Sequence, residues 1–252
     1  MNYLWKPVFR TVVKRKEAWL CVGFSIFPLL LLIVDLFNTN FMQLSAPEGS
    51  MSFVEFFGAV ESVQYQLTLP IIAFIYLVIS CFHDEITTGK MFLFKDINRT
   101  KILNAKIWSI FSIYFTYFIF TFVTSLVTYY LHLVHMSYTS GTFFPRHVAD
   151  LQYVIISVLG IFVVTQLCIL IAVASSIKLS NGFTMLIGII FALVTFIAPS
   201  LKGLRYFLPN GYSNLVTQMG FGTALSVMIF MSLVYALIIY GFANHTFKNL
   251  EY

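Results

Sequence analysis

Six stretches of this chain stay apolar for longer than a soluble helix requires, and at ~1.5 Å per residue each approaches or exceeds the ~30 Å of a bilayer's hydrocarbon layer. They cover residues 18–37, 63–82, 107–131, 151–175, 182–199 and 223–243. A backbone inside a bilayer must satisfy its own hydrogen bonds, so each run is expected to be a helix. With 59% hydrophobic and 10% charged residues, a chain of 252 residues has too few polar side chains to coat a water-soluble globule. The expected fold class is an all-α membrane protein, one transmembrane domain over residues 1–252 with six spanning helices.

Charge gives the orientation. With the amino terminus inside, twelve of the fifteen Lys and Arg fall on inner segments, and only Arg146, Lys202 and Arg205 fall outside. Both termini and the segment 83–106 are therefore expected to face the cytoplasm. Segment 38–62 holds Glu48, Glu55 and Glu61 with no Lys or Arg, and is expected to be an outer loop. Positives confined to short loops do not make a basic face, which argues against nucleic acid as a partner. A basic start followed by an apolar run also occurs in signal peptides; here the run is long enough to span, and an uncleaved first span is expected. Cys21, Cys81 and Cys168 lie in or beside apolar runs without CxxC spacing, and are expected to be packing residues.

Three other segments carry information. In residues 1–17, Leu4, Val8 and Val12 recur every four residues beside Lys6, Arg10 and Lys14, the pattern of an amphipathic helix on the inner membrane surface. A basic flank that only fixes topology is the alternative. Residues 200–222 set Pro209, Asn210, Gly211, Gly220 and Gly222 among Leu, Tyr and Phe; too apolar for a free loop and too broken for a span, they are expected to re-enter the outer leaflet. The segment 83–106 places Lys90, Lys95, Arg99, Lys101 and Lys106 beside Asp84, Glu85 and Asp96, around the apolar Ile86, Met91, Phe92, Leu93, Phe94 and Ile97. That much apolar surface on a charged loop fits a protein partner. Binding to lipid headgroups is the alternative, weakened by the interleaved acids.

Together these features resemble type-2 ABC exporter permeases. Glu85 followed four residues later by Gly89, then Arg99 and Lys106, is similar to that family's Glu-x-x-x-Gly, Pro-x-Ser/Thr-Arg and Lys pattern. Lys90 stands where the family has Thr, and its common Pro is missing near Asp96. The resemblance implies a cytoplasmic coupling helix between spans two and three, where Glu85, Gly89, Lys90, Met91, Phe92, Leu93, Phe94, Arg99 and Lys106 meet a separate soluble ATPase. It also implies a second permease, identical or related, and a multi-pass place in a bacterial plasma membrane, in contact with lipid. In length and in lacking a large outer domain, the chain looks most like peptide-export or bacteriocin-immunity members, similar to exporters of phenol-soluble modulins. This implies amphipathic or antimicrobial peptide cargo. With no GxxxxGK[ST] loop, the chain is expected to catalyse nothing itself, leaving ATP and Mg²⁺ to the partner.

Other classes stay open. An intramembrane enzyme such as a protease would need HExxH, GxSG or a pair of intramembrane acids, and none is found in the sequence. A motor-independent carrier or channel usually has ionisable residues at the midplane or paired broken spans, and here the charges are expected to avoid the midplane. An ABC exporter of lipid or drug-like cargo is a further alternative. Candidate pathway residues are Gln64 and Gln66 at the outer end of the second span, Gln166 within the fourth, and Asp35 near the outer end of the first. Pro70 is expected to kink the second span.

Overall fold

The computed structural model describes residues 2–36, 47, 49–91 and 97–250, without the side chains of residues 2, 3 and 34–36. Among these residues the secondary structure is helical, apart from one isolated bridge between Met51 and Thr139. Six stretches are long and apolar enough to cross a membrane: Lys16–Ile33, Leu69–Thr87, Arg99–His135, Val148–Ser176, Asn181–Ser200 and Phe221–Lys248. The multi-pass expectation is met.

The amphipathic start is a helix, α1 (Asn2–Val13). Its apolar stripe, with Val12 buried and Leu4 and Val8 half-buried, packs along the helix at Arg99–Leu131, while Lys6, Arg10 and Lys14 are exposed. The first span follows as α2 (Lys16–Gly23), a 3₁₀ segment (Phe24–Leu29) and α3 (Leu30–Leu36). Its tightened middle contains Pro28, which has no N–H to give to an i−4 bond.

The second crossing differs from the expected one. Residues 53–62, expected in an outer loop, form most of α4 (Phe53–Leu67), which bends into α5 (Leu69–Cys81). Helix α4 starts at Phe53 because Ser52 and Glu55 form a capping box: the Ser52 hydroxyl accepts from the Glu55 N–H, and the Glu55 carboxylate accepts from the Ser52 N–H at 2.8 Å. It ends at Thr68, held at φ +57°, since Pro70 has no N–H for the Gln66 carbonyl and its ring would strike that oxygen. At the first turn of α5 the missing N–H costs nothing.

Helix α7 (Arg99–Leu131) is the third span, beginning eight residues before the expected boundary at Ile107, so 99–106 is helix and not loop. The broken second crossing follows it antiparallel from end to end. Ring centroids of Phe53 and Tyr129 are 5.9 Å apart, of Phe57 and Phe118 5.6 Å, and of Phe74 and Tyr114 5.3 Å. The break at Thr68 therefore lies about halfway across. Between α5 and α7, the short α6 (His83–Thr87) ends in a turn where Gly89 has φ +70°.

The bundle is completed by α8 (Val148–Ser176), α9 (Asn181–Ile197) and α11 (Phe221–Lys248), with the short α10 (Val216–Met219) before the last. Helix α5 is central, and Ile75, Leu77 and Val78 on it have no exposed surface. The broken segment before α11 is buried over Pro209–Ser213, against α8. It fits because α8 has Gly160 there: a Cβ on that residue would lie 2.8 Å from the Asn210 Cα. Side chains supply bonds that a helix would have made internally. Asn210 Nδ2 donates to the Thr195 carbonyl at 2.6 Å, and Tyr235 Oη to the Phe207 carbonyl at 2.8 Å.

Gly160→Ala should lower stability in detergent by about 1–3 kcal/mol through overpacking. Gly241→Ala, with nothing within 4 Å of the added methyl, should be neutral or stabilise by up to ~1 kcal/mol. Thermal unfolding of the two variants side by side checks this, and equal losses would contradict the close approach.

Candidate functional site

Two polar constellations stand out in a bundle otherwise packed with apolar side chains. The first is at the end where α1, α5, α7 and α11 meet. Arg15 occupies the extended junction between α1 and α2. Its guanidinium donates to the Ser80 carbonyl at 2.7 Å, to the Ser80 hydroxyl at 2.6 Å and to Glu85 Oε1. The other carboxylate oxygen, Glu85 Oε2, accepts from Lys106 Nζ at 2.7 Å. Lys106 Nζ also donates to the Cys81 carbonyl at 2.7 Å, and lies 5.0 Å from the Phe82 ring centroid. Met91 Sδ is 3.2 Å from the same ammonium.

Local structure explains why these groups converge. Cys81 ends α5, so its carbonyl has no intrahelical donor, and a cation at a helix carboxyl end meets the negative end of the dipole. Lys106, two turns into α7, supplies that cation with only 4% of its side chain exposed, a burial that requires the Glu85 carboxylate beside it. One carboxylate thereby joins the α1–α2 junction, the end of α5 and the start of α7. Two neighbouring contacts extend the assembly. Asn181, opening α9, donates to Asp84 at 3.2 Å, and Arg99 donates to the carbonyls of Lys248, at 2.6 Å, and Leu250. The α1–α2 junction, the segment Lys248–Leu250 and the 83–91 segment thus share one end of the bundle.

The expected coupling residues separate here into three groups. Glu85, Met91 and Lys106 come together and face inward, and Met91, with no exposed surface, is corrected from a docking wedge to a cover on the Lys106 ammonium. Gly89 and Lys90 are exposed in the turn beside them. Arg99, expected to orient a partner with Glu85, instead holds this chain's own carboxyl-terminal segment. Phe92, Leu93 and Phe94 lie outside the described residues, as does the Asp35 side chain.

The second constellation lies at mid-depth, beside the break at Thr68. Glu61, Gln64 and Tyr65 from α4 face Tyr114 and Tyr117 near the middle of the 33-residue α7, and Thr165 near the middle of the 29-residue α8. Tyr117 Oη donates to Gln64 Oε1, and Gln64 Nε2 donates to the Phe24 carbonyl of the first span at 3.2 Å. Tyr65 and Thr195 share a hydroxyl hydrogen bond, and the Thr195 carbonyl takes the Asn210 amide, so polar contacts run from the first span to the broken segment. Glu61 is 3% exposed, and its Oε1 has no hydrogen-bond partner.

Glu61, expected in an outer loop, is instead an ionisable side chain buried within the bundle beside Tyr114 and Tyr117. The capping box over Ser52 and Glu55 and the helical spacing of Phe53, Phe57, Val60 and Gln64 are the signals that could have placed it on a buried helix. Gln64 is buried, whereas Gln66 is exposed on another face of α4. Gln166 is half-buried, with its Oε1 unpartnered. Arg15, expected only as part of the basic flank, is a working member of the inner cluster.

No family model, curated protein or solved structure matches the chain. What the site can do rests on its own geometry.

Glu85→Gln removes the carboxylate that, among the described residues, is the only one bonded to both Arg15 and Lys106, and takes that counter-charge from the buried Lys106 ammonium. A loss of about 3–5 kcal/mol is expected in thermal unfolding. Adding Lys106→Met should cost much less than the sum of the two single losses; strictly additive losses would show the two groups to be uncoupled.

Proposed function

We propose that this chain is the membrane-spanning permease subunit of an ATP-driven exporter, worked from the cytoplasm by a separate soluble ATPase. The ATPase docks on the exposed turn Thr87–Lys90 and the residues that follow it toward Arg99. The observation that carries this reading is the position of Glu85. Its carboxylate, one short helix from the exposed turn, is bonded into the α1–α2 junction and into α7. A push on the turn is thus delivered to the first, second and third spans together, as a coupling element requires.

The remainder of the proposal comes from the resemblance to type-2 ABC exporter permeases. A second permease, identical or related, completes a pair of coupling surfaces for two motor subunits. The cargo is an amphipathic or antimicrobial peptide, exported or expelled as an immunity function, across a bacterial plasma membrane. ATP and Mg²⁺ are held by the motor, and this subunit performs no chemistry of its own.

A second reading, a carrier without a motor, is favoured by one observation: a buried acid beside a broken span is the arrangement that secondary transporters use for coupling ions. One experiment separates the two. Purifying the tagged full-length chain from its own membranes is expected to bring down a Walker-motif ATPase. Phe92→Ser with Phe94→Ser should reduce that recovery at least about tenfold, through loss of ~1.5 kcal/mol or more of aromatic burial, while membrane insertion is unchanged. Absence of an ATPase with the unaltered chain, or undiminished recovery with the variant, contradicts the motor reading.

A further inference from the structure

The cavity beside the break is small and chemically uneven. Its free volume is about 10 Å³, close to the ~10–15 Å³ that admits a single water molecule. Both sides of the break line it, with Glu61, Gln64 and Tyr65 from α4 and Pro70, Ile71 and Phe74 from α5. The titratable groups facing Glu61 are Tyr65 on its own helix and Tyr114 and Tyr117 on α7. Helix α8 contributes Thr165 and Ile161, and α5 contributes nothing that ionises. Among the described residues, no Lys, Arg, His or second acid lines the cavity.

An ionised carboxylate in these surroundings would lack any counter-charge, at a cost of several kcal/mol. The Gln64 amide is already engaged at both ends, by Tyr117 and by the Phe24 carbonyl, so it cannot turn to Glu61 without breaking a bond. A metal ion would need more oxygen ligands than one carboxylate and a few hydroxyls. A proton needs only one oxygen, and the room left over suits one water to deliver it.

We propose that Glu61 is a site of exchangeable proton binding. In the arrangement seen here the carboxylate has bound one proton from the aqueous phase and is a neutral carboxylic acid. Movement at the Thr68 break, which changes the cavity wall on both sides, lets that proton return to water and leaves the carboxylate. A cleft of about 430 Å³ between the first span and the break shares Gln64 and Pro70 with this cavity, and its other lining residues are apolar. This proton site stands whether a nucleotide motor or an ion gradient drives the chain.

The test uses the full-length chain in lipid vesicles and a lipophilic carbodiimide, which adds to protonated carboxyls within a membrane and leaves a stable acylurea that mass spectrometry locates. Glu61 is expected to be modified at low pH, with the rate falling about tenfold per pH unit once the carboxyl ionises, and without change when sodium replaces potassium. Infrared difference spectra recorded across the same pH range should show a protonated-carboxyl band that Glu61→Gln removes. If that variant does not fold, the labelling of the unaltered chain still decides. Absence of modification at every pH overturns the proposal, and so does protection by sodium, which would give the cavity to a metal ion.

Discussion

The structure depends first on one carboxylate shared between two cations. Glu85 lies between Arg15 and Lys106 at the end of the bundle where three helical segments come together. Such a cluster is a poor source of net stability, because taking each ion out of water costs several kcal/mol and the Coulombic attraction roughly offsets it. Its effect is on position. Arg15 is also bonded to Ser80 at two atoms, and Lys106 to the last carbonyl of α5, so the register of α5 against α7 and against the first span is fixed by bonds that no slipped arrangement can make. Apolar packing in a membrane is permissive about register, since lipid and Leu side chains are alike in polarity. Directional contacts are therefore the ones that select one arrangement.

From that anchor the second crossing rises along α7 and fails as a helix halfway up. Proline forces the failure, and the bundle uses it. The break turns the amide and hydroxyl groups of Gln64 and Tyr65 toward neighbouring spans, while Glu61 reaches a pocket with no cation in it. A polar seam then extends through Thr195 to Asn210, where an irregular segment fits into the space left by the missing side chain of Gly160. The two ends of this path differ in character. The anchor side chains Arg15, Glu85 and Lys106 are all hydrogen-bonded, whereas the middle has unpartnered oxygens on Glu61, Gln166 and Asn210. Motion is expected where bonds are missing.

How much of this could be read from the sequence follows from the length scale of each signal. Six spans were legible because a bilayer imposes runs of some twenty apolar residues, which composition alone reveals. The amphipathic helix α1 was legible through its period, and Gly89 through its place four residues after Glu85, where the chain turns with a positive φ. The start of α4 was hidden because polar residues interrupt it: Glu55 and Glu61 look like loop residues until the Ser52 capping box and the Phe spacing are weighed together. Arg15 was hidden for a different reason. Its partners are 65 and 70 residues away, and no local pattern distinguishes a lysine or arginine that fixes topology from one that ties helices together. Met91 and Arg99 fell on a segment whose charge and apolar content promised a partner, and both turned inward because a buried ammonium and a set of unbonded tail carbonyls were nearer.

The functional reading requires the clamped, basic end to be the cytoplasmic one, since only there can a nucleotide-driven motor reach the turn beside Glu85. Labelling single cysteines with a membrane-impermeant maleimide measures this most directly. The native Cys21, Cys81 and Cys168 are buried and add little background. With Lys90→Cys on the exposed turn and Lys202→Cys at the opposite end, a cytoplasmic clamp predicts that intact cells label only the second variant and inverted vesicles only the first. Labelling of Lys90→Cys from outside intact cells would place the clamp on the wrong side of the membrane and contradict the mechanism.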